Sequence, residues 1–151
     1  MIDFQKAQSA GHMTSRAARL FARVIERKLK PVGMAPGQLP VFYELANGAL
    51  LTQKALTAAA AVEQPTMAAT LARMERDGLV SRQADPGDGR SSLFGLTPAA
   101  LQQSSLIKEA IHASNRAALA GFSAEEERAL LSMLSRIIAN LDSKSATPGS
   151  G

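Results

Sequence analysis

Apolar residues recur at helical spacing over most of this chain and give way to short strand-like runs in one place only. Met13, Ala17, Leu20, Phe21 and Val24 follow an i, i+4, i+7, i+8, i+11 pattern, which predicts a helix over 13–29. Arg16, Arg19, Arg23, Arg27 and Lys30 take much of its other surface. Gly11 is expected to interrupt any helix begun at Asp3, and Pro31 and Gly33 close the segment. A second helix is predicted over about 36–46, with Leu39, Phe42, Tyr43, Leu45 and Ala46 as its apolar face. Pro40 lies in its first turn, where a missing N–H costs little, and Asn47-Gly48 ends it. Ala49-Leu50-Leu51 reads as a short apolar bridge or small strand. Thr52 is a good N-cap for a third helix from Gln53 to about Ala60. After a break at Ala61-Val62-Glu63, Pro65 suits the first position of a fourth helix that runs to Asp77 and stops at Gly78.

The fourth helix carries Met67, Leu71 and Met74 on one face, with Gln64, Thr66, Ala69, Thr70, Arg73 and Arg76 elsewhere. A core stripe backed by small, hydrogen-bonding and cationic side chains is what a groove-reading helix needs, and its length matches a major groove. Segments 79–84 and 91–96 read as strands around Asp85-Pro-Gly-Asp-Gly-Arg90, where Pro and Gly supply the turn. Thr97-Pro98 caps a fifth helix over about 99–120, broken by Gly121-Phe122. Ser123-Ala-Glu-Glu126 is a capping box that opens a sixth helix reaching about Leu141. Two short helices, a strand, a charged Gly-rich hairpin, a second strand and a new helix make the layout of a winged helix-turn-helix. The fold class is therefore mainly α with a small β-hairpin wing, and double-stranded DNA is the leading partner.

Composition agrees with helix over sheet: Ala and Leu dominate the 46% hydrophobic fraction, aromatics are 4% and Trp is absent. With no cysteine, disulfides, thiolate nucleophiles, Cys-ligated zinc and thiol redox sensing are excluded. No apolar run approaches the ~18 residues of a membrane span, and no secretory signal opens the chain, so the cytoplasm is the expected compartment. The net charge of +4 favours polyanions. Its distribution is uneven. Residues 1–48 carry seven Lys/Arg against three Asp/Glu, whereas 49–97 and 98–151 each carry five against five. The whole excess sits in the N-terminal third.

Asp88-x-Arg90 followed by Leu96-Thr97 resembles the wing signature of the MarR family of bacterial transcriptional regulators. Glu63-Gln-Pro-Thr-Met67 and Leu71-Ala-Arg-Met-Glu-Arg-Asp-Gly78 resemble that family's recognition helix and its exit. The resemblance spans about residues 13–142. It implies one winged helix-turn-helix unit over 1–142, with a DNA-binding lobe at about 36–97, dimerisation helices at about 3–30 and 99–142, and a disordered tail at 143–151. It further implies a homodimer on a pseudo-palindromic operator, often released by a small molecule held between the dimer helices and the DNA lobe. Gly89 departs from the pattern, since many members place Arg between the wing Asp and Arg.

On these grounds the DNA-binding candidates are Gln53, Lys54, Gln64, Pro65, Thr66, Ala69, Thr70, Arg73, Arg82, Asp88 and Arg90. Against them stand ordinary local roles: Gln64 as an N-cap, Thr70 bonded back to the preceding turn, Arg73 paired with Asp77, Arg90 paired with Asp88. His12, Met13, Arg16, Met34, Phe42 and Tyr43 are the candidate ligand site, where Arg16 and Tyr43 would anchor a small aromatic acid inducer. Ordinary core packing is the competing role for Phe42. His12 and His112 are too few for a zinc site, so no metal or cofactor is expected. Ser105-Leu-Ile-Lys108 has the spacing of a Ser-x-x-Lys acylase but none of its partner motifs. No catalytic constellation is present, and the chain reads as a repressor rather than an enzyme. The alternative function is a winged-helix dimeric adaptor with weak or no DNA binding, which the neutral lobe and Gly89 would favour.

Overall fold

The computed structural model describes residues 4–145. The chain divides into two compact units, with the boundary between Ser114 and Asn115. The first holds the hydrophobic core and the small sheet. Its opening helix α1 spans Ala10–Leu29 and follows a 3-10 turn at Lys6–Gln8. The sequence pattern puts the start at Met13, behind Gly11; instead Ser9 sets it, accepting a hydrogen bond from the His12 N–H at 3.2 Å. One satisfied N-terminal donor outweighs the modest cost of a glycine in the first turn. Position 3, expected to start the dimerisation helix, lies outside the described residues.

Helix α2 (Leu39–Leu45) is preceded by a 3-10 turn at Pro36–Gln38, whose Gln38 side-chain oxygen accepts from the Ala35 N–H at 3.0 Å. Strand β1 (Leu51–Thr52) leads into α3 (Gln53–Ala60), which Thr52 caps by accepting from Ala55 N–H at 3.1 Å. Helix α4 is Gln64–Arg76. Strands β2 (Val80–Asp85) and β3 (Asp88–Leu96) complete an antiparallel sheet of order β1-β3-β2. Leu51 pairs with Phe94, and Val80 with Leu96. Gly95 is a point of close approach in this sheet, since a Cβ there would meet Leu50 Cδ2 at 2.5 Å.

The core lies where these elements converge. Leu29 of α1, Val41, Phe42 and Leu45 of α2, Leu56 of α3, and Met67, Leu71 and Met74 of α4 are all buried, with Phe94 and Leu96 of the sheet. The apolar face assigned to α4 is therefore the face that packs, which leaves its opposite side for solvent or a partner.

Thr97 caps α5 (Pro98–Gln102), as the sequence suggests, by accepting from Ala100 N–H at 3.2 Å. The single helix expected over 99–120 is interrupted. The Gln103 N–H is shared between the Ala99 and Ala100 carbonyls at 3.3 and 3.2 Å, which tightens one turn before α6 (Ser104–Ala118) begins. The buried stripe runs on through this turn, from Ala100 of α5 to Ser104, Ile107, Ala110 and Ser114 of α6. In the second unit, α7 spans Ala124–Ser145 and opens with the expected capping box: Glu126 accepts from Ser123 N–H at 2.9 Å and Ser123 from Glu126 N–H at 3.1 Å. Residues 143–145, expected to begin a disordered tail, continue this helix; the rest of that tail lies outside the described residues.

Candidate nucleic-acid interface

Helix α4 begins on the Glu63 backbone with Pro65 in its first turn, and Glu63 supplies no side-chain cap. It ends in a paired set of backbone bonds. Leu79 N–H donates to Met74 C=O at 2.8 Å, Gly78 N–H to Glu75 C=O at 3.2 Å, and Gly78 sits at φ 73°. This Schellman arrangement needs a left-handed residue, which glycine supplies without strain. With Met67, Leu71 and Met74 inward, Thr66, Ala69 and Arg73 share the outer side, and Gln64 and Pro65 are exposed at the start of the helix. Thr70 is half-buried and donates to Thr66 C=O at 2.8 Å, the local bond that competes with any external one. Arg73 does not pair with Asp77. Arg76 takes that carboxylate at 3.0 Å and holds its pKa below the usual carboxylate range, with the Gln38 amide adding to the effect. Arg73 thus keeps its guanidinium free of ion pairs among the described residues.

The wing is tighter than the sequence implies. The strands run up to Asp85 and from Asp88, leaving only Pro86-Gly87 between them rather than a six-residue hairpin connection. The register jumps at Ala84/Asp85: Ala84 faces Ser92 while Asp85 faces Asp88, so Gly89, Arg90 and Ser91 bulge out on β3. Two carboxylates fasten the bulge. Asp85 accepts from Gly87 N–H at 2.9 Å and from Ser91 Oγ at 3.0 Å, and Asp88 accepts from Arg90 N–H at 3.0 Å. Asp88 therefore fixes the backbone of Arg90 and leaves its exposed guanidinium without an ion pair among the described residues. Neither Gly87 nor Gly89 has a positive φ, so the bend comes from these side-chain bonds and the bulge.

Between the wing and the start of α3 lies a concavity of about 420 Å³, where Gln53, Lys54, Arg82, Asp88 and Arg90 come together. Arg82 is not free in it. Its Nε and Nη2 donate to Glu75 of α4 at 2.8 and 3.1 Å, and its Cζ lies 5.0 Å from the centre of the Phe94 ring. A bidentate carboxylate bond and a cation over a ring hold β2 to α4. Sequence reasoning misses Glu75, because its partner is seven residues on and across a turn. It finds Thr97 only as part of the wing signature and a helix cap. The Thr97 hydroxyl also donates to Gly78 C=O at 2.7 Å, which ties the wing exit to the end of α4.

The six candidate ligand residues do not share one cavity within the first unit. His12 and Arg16 line a concavity on α1. Phe42 and Tyr43 line another of about 290 Å³ between α2 and α6, together with Lys108, Ile111 and His112. Met34 is a core residue and Met13 is exposed on α1. Sequence reasoning does not place Lys108 and His112 beside Phe42 and Tyr43; they stand one helical turn apart on α6, a spacing the sequence does contain.

Residues 32–91 match the profile of the MarR family. Among solved structures, a probable transcriptional regulator from Pseudomonas aeruginosa is 27% identical, with a TM-score of 0.80 over 88% of this chain and 99% of that one. BpsR of Bordetella bronchiseptica, whose DNA binding is regulated by 6-hydroxynicotinic acid, is 18% identical, with a TM-score of 0.80 over 90% and 97% of the two chains. A mutant MarR from E. coli complexed with operator DNA is 19% identical, with a TM-score of 0.79 over 91% and 99%. The last two are similar in fold.

Proposed function

We propose that this chain, whose residues 32–91 match the MarR family profile, is a homodimeric, DNA-binding repressor of the cytoplasm. A small aromatic or amphipathic acid would release it. One observation carries the reading. The outer face of α4 presents Thr66, Ala69 and an unpaired Arg73, with Gln64 exposed at its start, while the adjoining wing presents an unpaired Arg90, among the described residues. A helix of 13 residues is about 20 Å long and fits a major groove, and a cation on a bulged hairpin fits the neighbouring minor groove. Half-buried Gln53 and exposed Lys54, at the start of α3, would add phosphate contacts.

Dimerisation is supported by α7, a 22-residue helix that buries none of its described side chains. Leu131, Ile138 and Leu141 are 60%, 59% and 67% exposed, and α1 leaves Met13, Leu20, Phe21 and Val24 exposed as well. A second copy would cover such faces. Ala110 belongs to the core of its own chain, so the small residues left for close approach are Ala113 and Ala117.

The pocket between α2 and α6 is the better seat for an acid. Phe42, Tyr43 and Ile111 offer an apolar wall, and Lys108 offers a cation for the carboxylate. Because α2 also packs on α3, a wedge there would displace the helix-turn-helix. BpsR, regulated by a hydroxylated aromatic acid, offers a parallel. The test is fluorescence anisotropy with DNA from upstream of the protein's own gene at two salt concentrations, with and without a panel of aromatic acids. A steep negative salt slope, and weakening by an acid that also raises thermal stability, are expected. Binding that is absent at both salts would favour the adaptor reading, to which the balanced charge of residues 49–97 inclines.

A further inference from the structure

We propose that Thr97 is a positioning residue for DNA recognition: its hydroxyl joins the exit of α4 to the start of α5, and so fixes the roll of α4 without touching DNA. The proposal rests on the reading of α4 as the helix that enters the groove. Thr97 is half-buried at the junction of β3 and α5. Hydrogen bonds converge on it. Its hydroxyl donates to Gly78 C=O at 2.7 Å and accepts from Ala100 N–H at 3.2 Å. Its own N–H donates to Leu79 C=O at 3.1 Å, one step beyond the Val80–Leu96 pair, and its C=O accepts from Leu101 N–H at 2.9 Å. One residue thus grips the consecutive carbonyls of Gly78 and Leu79 while it caps another helix.

The peptide unit between Gly78 and Leu79 is held from both sides. Its N–H donates to Met74 C=O of α4 at 2.8 Å, and its C=O accepts from Thr97. A peptide unit is planar and stiff, so a bond to one edge fixes the other. The remaining restraints on α4 set its roll less closely. Met67, Leu71 and Met74 hold it by apolar packing, which resists separation but is not directional. Glu63 gives its start no side-chain cap. The tie from Arg82 to Glu75 runs between side chains open to solvent. Thr66, Ala69 and Arg73 are aimed by that roll, and a recognition site tolerates a misalignment of only about 10–20°.

Cap and joint can be separated by chemistry. Capping α5 needs an acceptor, whereas the bond to Gly78 needs a donor. Serine supplies both. Ionised aspartate supplies only the acceptor, and it is itself a preferred N-cap. Thr97 is half-buried and Gly78 exposed, so a carboxylate at position 97 keeps its contact with water.

The experiment compares the full chain with its Thr97→Ser, Thr97→Asp and Ala99→Asp variants. Ala99→Asp places the same charge in the first turn of α5, on an exposed side chain outside the joint. Binding to DNA from upstream of the protein's own gene is measured by fluorescence anisotropy at two salt concentrations. Amide hydrogen exchange is followed by NMR, and thermal unfolding checks that each variant is folded at the assay temperature. Thr97→Asp should bind about tenfold more weakly with an unchanged salt slope, while Thr97→Ser and Ala99→Asp stay within about twofold of the wild type. In Thr97→Asp the Leu79 N–H should exchange about tenfold faster and the Ala100 N–H at the wild-type rate. Wild-type affinity in Thr97→Asp, or an equal loss in Ala99→Asp, would overturn the proposal and leave the repressor reading intact. A smaller salt slope in Thr97→Asp would make Thr97 a DNA contact, and faster exchange throughout the variant would make its role merely structural; either overturns the positioning role. A wild type that binds no DNA would overturn the repressor reading, and the positioning role with it.

Discussion

Arg73, Arg82 and Arg90 look alike in sequence, as cations beside a groove-reading helix, and the structure separates them. Arg90 sits at a wing tip whose backbone is set by Asp88, so little packing depends on its side chain. Arg90→Ala should weaken operator binding with thermal stability unchanged, and should lower the salt slope by about one unit for each phosphate it no longer neutralises. Unchanged affinity and slope would mean that the wing does not engage DNA. Arg82 is engaged by Glu75 and Phe94, and we expect it to act by positioning the wing. Arg82→Met and Glu75→Gln should each weaken operator binding without changing the salt slope, and the double variant should bind no more weakly than the worse single one. A smaller slope in Arg82→Met alone would make it a direct phosphate contact. The sequence shows that Arg82 is a cation near the wing. It does not show the partner, because pairing across seven residues depends on how a strand folds back over a helix end.

At the scale of elements, the sequence marks helix ends wherever a residue type has one strong conformational reason to be there. Thr52, Thr97 and the Ser123–Glu126 box all cap as expected. Gly78 terminates α4 with φ 73° and open space around its Cα, so a side chain there would cost conformational energy alone. Gly78→Ala should destabilise the fold by about 1 kcal/mol, read as a melting temperature lower by a few degrees. An unchanged melting temperature would show that the left-handed residue is not limiting. The end of α3 is harder to read. It uses the same double bond pattern, Val62 N–H to Thr57 C=O and Ala61 N–H to Ala58 C=O, but the left-handed residue is Ala61 at φ 52°. No glycine announces it. The interruption at Gln103, a local bifurcated backbone bond, and the bulge at Gly89–Ser91, fastened within its own hairpin by Asp85 and Asp88, are likewise marked by no residue type that has a single conformational meaning.

At the scale of the whole molecule, periodicity identifies the apolar faces but cannot say which of them stay uncovered. Met67, Leu71 and Met74 go inward, whereas the equally periodic α7 buries none of its described side chains in its own chain. A stable dimer should bury more than about 2,000 Å² in total, and light scattering at micromolar concentration should give twice the 15.9 kDa chain mass. Leu131→Glu should shift that mass toward the monomer without unfolding the first unit; a monomeric wild type would refute dimerisation. Charge is the other global property. The lobe carrying α4 and the wing is balanced overall, so on the proposed reading DNA affinity comes from the placement of Arg73 and Arg90 and from the two copies of each that a dimer would supply. The central claim is that paired α4 helices read paired sites, and hydroxyl-radical footprinting on the protein's own upstream DNA tests it directly. The account predicts two protected half-sites about one helical turn, ~34 Å, apart, both abolished when Thr66 and Arg73 are replaced by Ala. Uniform, unprotected DNA at concentrations where the protein is dimeric would contradict it.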